Sequence, residues 1–313
     1  MAQHVIVVAG GLSHEREISL ESGHRVAREL TRAGFDVTMS DMQPGLIDLI
    51  CSLDHPVVFP MLHGGAGEDG AAGEVFELVD VPYVGSTAVA CRASYDKALA
   101  IPAVARKGLS VPKRVVLPHD MFRDLGASTL LDLIEDRLGL PLFVKPSASG
   151  SALGTSRVDR IEDLPTAMVN AYSYGRVAVV EEHIAGTEVA VPVFDLGDGP
   201  IAFPPVEIRP ASGRYDFEAR YTAGATTYVC PAELDEMTIA ACQDMAVQAH
   251  LGLGLRDFSR ADIIVRDGRP VFIESSVAPG MTDTSLVPLS LASAGQNLTE
   301  VLAQLVRMAA QRS

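Results

Sequence analysis

The feature that most restricts the fold is the alternation, over the first ninety residues, of short apolar runs with helical stripes. His4–Val8 reads as a buried strand, Gly10 and Gly11 break it, and Glu15–Ala33 follows with Ile18, Leu20, Val26 and Leu30 on one stripe. Gly34 stands where a left-handed residue closes a helix. Phe35–Met39 reads as a strand, Leu46–Ser52 as a short helix and Val57–Leu62 as a third strand. Gly70–Val79 is helical again and leads to a fourth strand at Val81–Val84. Strands separated by helices pair in parallel, so this β-α-β-α-β-α-β order implies a parallel sheet covered on both faces.

The pattern then changes. A second unit opens near Ala88, with a helix at Lys97–Lys107, a strand at Lys113–Leu117, a helix at Leu125–Leu138 and a strand at Leu142–Lys145. A Gly/Ser-rich loop over Pro146–Ser156, a helix at Ile161–Tyr172 and a strand at Val177–Glu182 complete it. A third unit carries strands at Glu188–Asp195 and Ala202–Ile208, a polar segment Arg209–Gly224, a helix Asp235–Leu251, a hairpin Ala261–Ser275 and a closing helix Leu298–Ala310. A length of 313 residues would fit two domains. The patterns call for three, over 1–88, 89–182 and 183–313, mixing α/β and α+β, with no internal repeat.

Charge narrows the partners. Twenty-five Lys and Arg against forty Asp and Glu leave a net charge of −15, which argues against nucleic acid or an anionic membrane surface as the main partner. No apolar run approaches the roughly 20 residues needed to span a bilayer. The four cysteines are widely spaced with no C-x-x-C pair, so reduced thiols in the cytoplasm are expected, not a disulfide framework or a zinc knuckle. The chain has no Walker loop, no H-E-x-x-H and no G-x-S-x-G, and Gly252-x-Gly254 lacks the third glycine and the preceding strand of a dinucleotide site.

Five segments carry chemistry. Lys145 to Gly154 puts small residues after an apolar strand, so backbone N–H groups can wrap an anion beside a lysine; the same residues also serve an ordinary flexible loop. Glu181, Glu182, His183 and Ile184, then Glu188, lie at a strand exit where carboxylates and main chain can meet a nucleoside, or simply face water. The hairpin sets Arg260, Asp262, Glu274 and Ser276 inside apolar runs, where carboxylates need a cation or an arginine partner. Hard oxygens with room for phosphate suit Mg²⁺. Parity sets a condition: a three-residue loop over 266–268 puts these four on one face, whereas a two-residue Asp-Gly turn puts Asp262 and Glu274 on opposite faces. Finally, Gly10 to Glu17 joins the first strand to its helix at the carboxyl edge, where Glu15 could hold an ammonium or Ser13 could cap the helix. His63, in a Gly-rich turn at the same edge, is expected in a cleft.

Taken in order, nine segments resemble the D-alanine–D-alanine ligase family of the ATP-grasp superfamily. They are GGLSHEREISLESG (10–23), LHGGAGEDG (62–70), VPYVGS (81–86), YDK (95–97), LFVKPSASGSALG (142–154), VVEEHIAGTE (179–188), RYDFEARY (214–221), SRADIIV (259–265) and IESSVAPGMTDTSLVP (273–288). The resemblance implies a three-domain ATP-grasp enzyme that joins two D-alanines with ATP through an acyl phosphate, for peptidoglycan, as a cytoplasmic homodimer.

It also implies roles. Glu15 would bind the first ammonium, linked to Ser151 and Tyr221, with His63 and Arg220 beside the substrates. Lys97 and Lys145 would bind phosphates, and Glu181, Glu182, Ile184 and Glu188 would hold adenosine. Asp262, Glu274 and Ser276 would ligate Mg²⁺, Arg260 and the Gly280 amide would face the oxyanion, and Ser285 and Leu286 would meet the second carboxylate. The sequence departs from the family at Ser276, where an asparagine is usual, at Arg220 for a lysine, at Ala152 for a serine, and at Arg214 and Phe217. Those departures leave room for a ligase of the same chemistry on another amino acid or amine; a catalytically silent nucleotide or amino-acid sensor is the alternative from another class, and the retained Arg260, Asp262 and Glu274 speak against it.

Overall fold

A computed structural model describes residues 2–312 except Ser151 and Ala223, with the side chains of Ala127 and Tyr221 also left out. Strands β1 (His4–Val8), β2 (Asp36–Ser40) and β3 (Val57–Pro60) form a parallel sheet in the order β2-β1-β3. Val5 to Val8 have no exposed surface, as a strand covered on both faces requires. The expected fourth strand is reduced to a bridge between Val58 and Tyr83. Pro82 explains the reduction, since its carbonyl accepts from Val58 N–H but its own nitrogen has no proton to extend the ladder.

The central sheet takes the order β4-β7-β5-β6, from β4 (Arg114–Pro118), β5 (Leu142–Pro146), β6 (Ser156–Val158) and β7 (Val177–Glu182), all antiparallel. The helix expected over 125–138 starts at Ala127, because Gly126 at φ 87° separates it from a short helix at His119–Asp124.

The third sheet comprises β8 (Thr187–Asp195), β9 (Pro200–Ala202), β10 (Val206–Pro210), β11 (Thr226–Val229), β12 (Phe258–Arg266) and β13 (Arg269–Ser276). Its order is β11-β10-β8-β12-β13, with β9 paired to β8. The single strand expected at 202–208 is two, because Pro204 and Pro205 interrupt the donors between them. The polar segment 209–224 holds a short helix, Phe217–Tyr221, capped by the Asp216 carboxylate accepting Ala219 N–H at 3.0 Å. Phe194, Phe258 and Leu302 pack with Val5, Val7 and Phe59, so the first and third sheets share one core.

The β12–β13 hairpin breaks the parity condition and still meets its purpose. Arg266 pairs with Arg269, so the turn is the two residues Asp267 and Gly268, at φ 51° and 72°. That register alone would set Asp262 opposite Ile273 and turn Glu274 to the other face. A bulge at Ile273 instead shifts the register by one, from Ile263 opposite Phe272 to Asp262 opposite Glu274. Arg260 then faces Ser276. The extra residue lies in the strand, not in the turn.

Candidate active site

Two cavities meet where the sheets converge. One, of about 680 Å³, lies between the central and third sheets; the other, of about 650 Å³, lies between the third sheet and the carboxyl edge of the first. Lys97, Ser149, Tyr215, Arg220 and Glu274 line both and form their common wall.

The larger cavity gathers Lys97, Lys145, Glu181, Glu182, Ile184, Glu188, Asp262 and Glu274. Lys145 Nζ lies 2.7 Å from Glu181 Oε2, with both side chains nearly buried. The other oxygen, Oε1, is buried without a partner among the described residues, an acceptor waiting for a donor. Lys97 Nζ meets Glu274 Oε2 at 3.1 Å and also donates to the Ser149 carbonyl in the Gly/Ser loop. Phe143 stacks on His183 at 5.5 Å beside Ile184.

Burial would raise Glu274, but Lys97, Arg220 and Lys145 outweigh it and hold its carboxyl down to about 2. Glu188 goes the other way: burial, with Asp262 and Glu274 nearby, lifts it to about 7 against the pull of Arg220. Two of the carboxylates around this cavity, Asp262 and Glu274, are cross-strand partners, a hard-oxygen pair of the kind a divalent cation takes. Among the described residues no three His, Cys, Asp or Glu side chains close into a complete cage. A divalent cation held by this pair would need further oxygen ligands from outside it.

The second cavity gathers Glu15, His63, Arg220, Arg260, Ser276, Gly280, Ser285 and Leu286. Arg260 grips Asp262 with two hydrogen bonds, 2.6 and 2.7 Å, against burial that disfavours its charge. Ser276 lines this cavity and Asp262 the other, so the three expected metal ligands straddle the wall. Glu15 precedes the helix Arg16–Arg32, whose N-terminus has no side-chain cap; Ser13 Oγ instead accepts Glu15 N–H at 3.1 Å and donates to the His63 carbonyl. Ser285 precedes the helix Leu286–Ser293, and its hydroxyl accepts Thr282 N–H at 2.9 Å. His63 lines the cavity, but both ring nitrogens are engaged, Nδ1 with the Ala278 carbonyl at 2.8 Å and Nε2 with Ser22 Oγ at 3.1 Å. Ser151 and the side chain of Tyr221 lie outside the described residues.

Comparisons with known proteins agree with this geometry. Residues 104–307 match the family model described as D-ala D-ala ligase C-terminus. A D-alanine–D-alanine ligase of Nitratidesulfovibrio vulgaris is 38% identical over 97% of each chain. One of Nitrosomonas eutropha is 35% identical over 98% of this chain and 97% of its own. The chain belongs to the D-alanine–D-alanine ligase family. Among solved structures, the Enterococcus faecalis VanG D-Ala:D-Ser ligase superposes with a TM-score of 0.85 at 27% identity, over 99% of this chain and 100% of that one. A Bacillus anthracis D-alanine–D-alanine ligase solved with ATP gives 0.83 at 24% identity, over 99% and 98%. The fold is that of the ATP-grasp ligases.

Within this D-alanine–D-alanine ligase frame, some wall residues escaped the sequence reading. Glu68 is buried beside Glu15; burial first and that like charge second push it up to about 8, although Gly64 N–H donates to it at 3.2 Å. Tyr215 stacks under Arg220, with the guanidinium 4.6 Å from the ring, and its hydroxyl meets Tyr228 at 3.1 Å. Glu68 lies inside the GEDG turn and Tyr215 inside RYDFEARY, so their segments were noticed but nothing in their spacing marked them as wall-forming. Among the described residues no helix is long and apolar enough to cross a membrane.

Proposed function

We propose that this chain joins two D-alanine molecules to D-alanyl-D-alanine with cleavage of ATP to ADP and phosphate, in the cytoplasm, for peptidoglycan precursors. In this reading the first D-alanine carboxylate attacks the γ-phosphorus, ADP leaves, and the amine of the second D-alanine displaces phosphate from the acyl phosphate. The observation that carries it is the common wall: Lys97, Arg220 and Glu274 face a nucleoside-sized chamber on one side and an amino-acid chamber on the other. A carboxylate and a phosphorus can meet only at such a junction.

The residues divide the work accordingly. Lys97 and Lys145 take phosphate oxygens, exchanging their present carboxylate partners for the nucleotide. The unpartnered Oε1 of Glu181 accepts from the adenine amino group, main chain at Glu182 and Ile184 meets the ring edge, and Glu188 accepts from ribose. Asp262, Glu274 and Ser276 would hold Mg²⁺, which supplies charge neutralisation on the phosphate oxygens. Glu15 holds the first ammonium, with His63 and Arg220 flanking it. Arg260 and the Gly280 amide face the developing oxyanion, and the helix start at Ser285 and Leu286 receives the second carboxylate. We further read the chain as a homodimer.

Phosphate release tests the reading. D-alanine with ATP and Mg²⁺ should give ADP, phosphate and dipeptide, and a panel of other D- and L-amino acids should give less. Release with another amine and none with D-alanine would replace the substrate; ATP binding with no release under any acceptor would replace the activity.

A further inference from the structure

The turn after β13, residues 277–282, presents Gly280 to the amino-acid cavity. Both flanks of that glycine are tied to the first domain, one to the turn after β3 and one to the helix Arg16–Arg32. The Ala278 carbonyl meets His63 Nδ1 at 2.8 Å, and Met281 N–H donates to Ser22 Oγ at 3.1 Å. Ser22 Oγ lies in turn 3.1 Å from His63 Nε2, which closes a ring of hydrogen bonds around the turn. Ser22 and Met281 have no exposed surface, and His63 has 4%.

The backbone fixes every proton in this ring. A carbonyl only accepts, so His63 Nδ1 must carry the hydrogen. A buried neutral imidazole has one N–H, so Nε2 is an acceptor and the Ser22 hydroxyl donates to it. An amide only donates, so the Ser22 oxygen takes the Met281 N–H. Burial, which pushes His63 down to about 4, keeps the ring neutral and the direction unique.

We propose that Ser22 is a positioning residue for the Gly280 amide: with His63 it clamps the two peptide groups, 278–279 and 280–281, that flank the 279–280 peptide carrying that N–H. The proposal rests on the ligase reading, in which this amide meets the oxyanion. A donor aimed at developing charge works only if its direction is set before the reaction. Removing the Ser22 hydroxyl leaves Met281 N–H and His63 Nε2 unpartnered in a dry site, so the turn is free to re-aim.

The test compares Ser22→Ala and Ser22→Cys with the parent enzyme, using ¹⁵N-histidine spectra and steady-state kinetics. Expected are the Nδ1–H tautomer of His63 in the parent, and a kcat lowered about tenfold or more in Ser22→Ala with KM for ATP unchanged. Ser22→Cys, a weaker donor and acceptor, should fall between the two. An Nε2–H tautomer, an unchanged kcat, or equal losses in kcat and ATP affinity would overturn the proposal. Should Ser22→Ala not fold, the parent tautomer and the Ser22→Cys kinetics decide. Absence of D-alanine turnover in the parent would sink the ligase reading, whereas the tautomer reports on the clamp by itself.

Discussion

On the nucleotide side, Lys145 and Glu181 are buried together as an ion pair at 2.7 Å; on the amino-acid side, His63 and Glu68 are equally buried and shift away from charge. The cost of desolvation is similar in the two chambers. What differs is company. Glu181 went in with a lysine and Glu274 with Lys97 and Arg220, whereas Glu68 went in beside Glu15 and His63 beside a carbonyl and a hydroxyl. Burial strips a charge when the opposite charges buried with it are too weak to offset desolvation. The Lys145–Glu181 pair thus keeps a cation ready for phosphates, while His63 and Glu68 add neutral, directional groups to the chamber for the amino acid.

The strongest way to break this contrast is at the wall itself. Glu274→Gln removes the carboxylate that both chambers share and leaves Lys97 and Arg220 facing a neutral amide. Turnover should drop on the order of 10³-fold, the scale of losing a principal electrostatic group, with the far-ultraviolet circular dichroism spectrum preserved. Activity near the parent level would separate Glu274 from the reaction. Next comes Glu181→Gln, which unpairs Lys145 inside the nucleotide chamber only. KM for ATP should rise about tenfold, the size of one charge-assisted hydrogen bond, while KM for D-alanine stays put. An equal rise in both would mean that the chambers are not independent.

A smaller effect sharpens the metal side. Ser276 faces the amino-acid cavity across the strand pair from Arg260, and its hydroxyl is a shorter ligand than an amide carbonyl. Ser276→Asn should lower the Mg²⁺ concentration for half-maximal activity about threefold. A titration that does not move places residue 276 away from the ion.

How much of this was legible in the sequence depends on the range of the cause. The parallel sheet was readable because β1 is buried on both faces by its own composition, and the glycine-rich turns mark its carboxyl edge. The loss of the fourth strand was also written there, at Pro82, and so was the split at Pro204 and Pro205. The bulge at Ile273 was not, because nothing in a run of apolar residues says where a ladder slips by one. Asp262 and Glu274 were singled out for sound reasons, yet the parity argument placed the compensating residue in the turn. Glu68 was beyond reach for a different reason: a glutamate in a polar turn reads as solvated until the helix carrying Glu15 is packed beside it.

That buried glutamate gives the subtlest prediction, and its sign can be worked through. With a folded pKa of about 8 against an ordinary 4.5, Glu68 makes the native state hold more protons than the unfolded one across that interval. Its contribution to stability is therefore present at low pH and lost as pH rises towards 8. His63 and His250, pushed by burial down to about 4 from 6.5, act oppositely, because unfolding exposes imidazoles that take up protons below pH 6.5. The two effects oppose each other in mild acid. As pH rises past 6.5 the unfolded imidazoles also lose their protons and this opposing effect fades, while Glu68, with Glu188 up to about 7, still titrates in the folded state. Stability measured by urea unfolding should fall by up to about 2 kcal/mol between pH 6.5 and 8. Glu68→Gln, which cannot ionise, should flatten most of that decline. A parent protein whose stability is level over this interval would show that Glu68 is charged in the folded state. The amino-acid chamber would then hold the same kind of ionised groups as its neighbour.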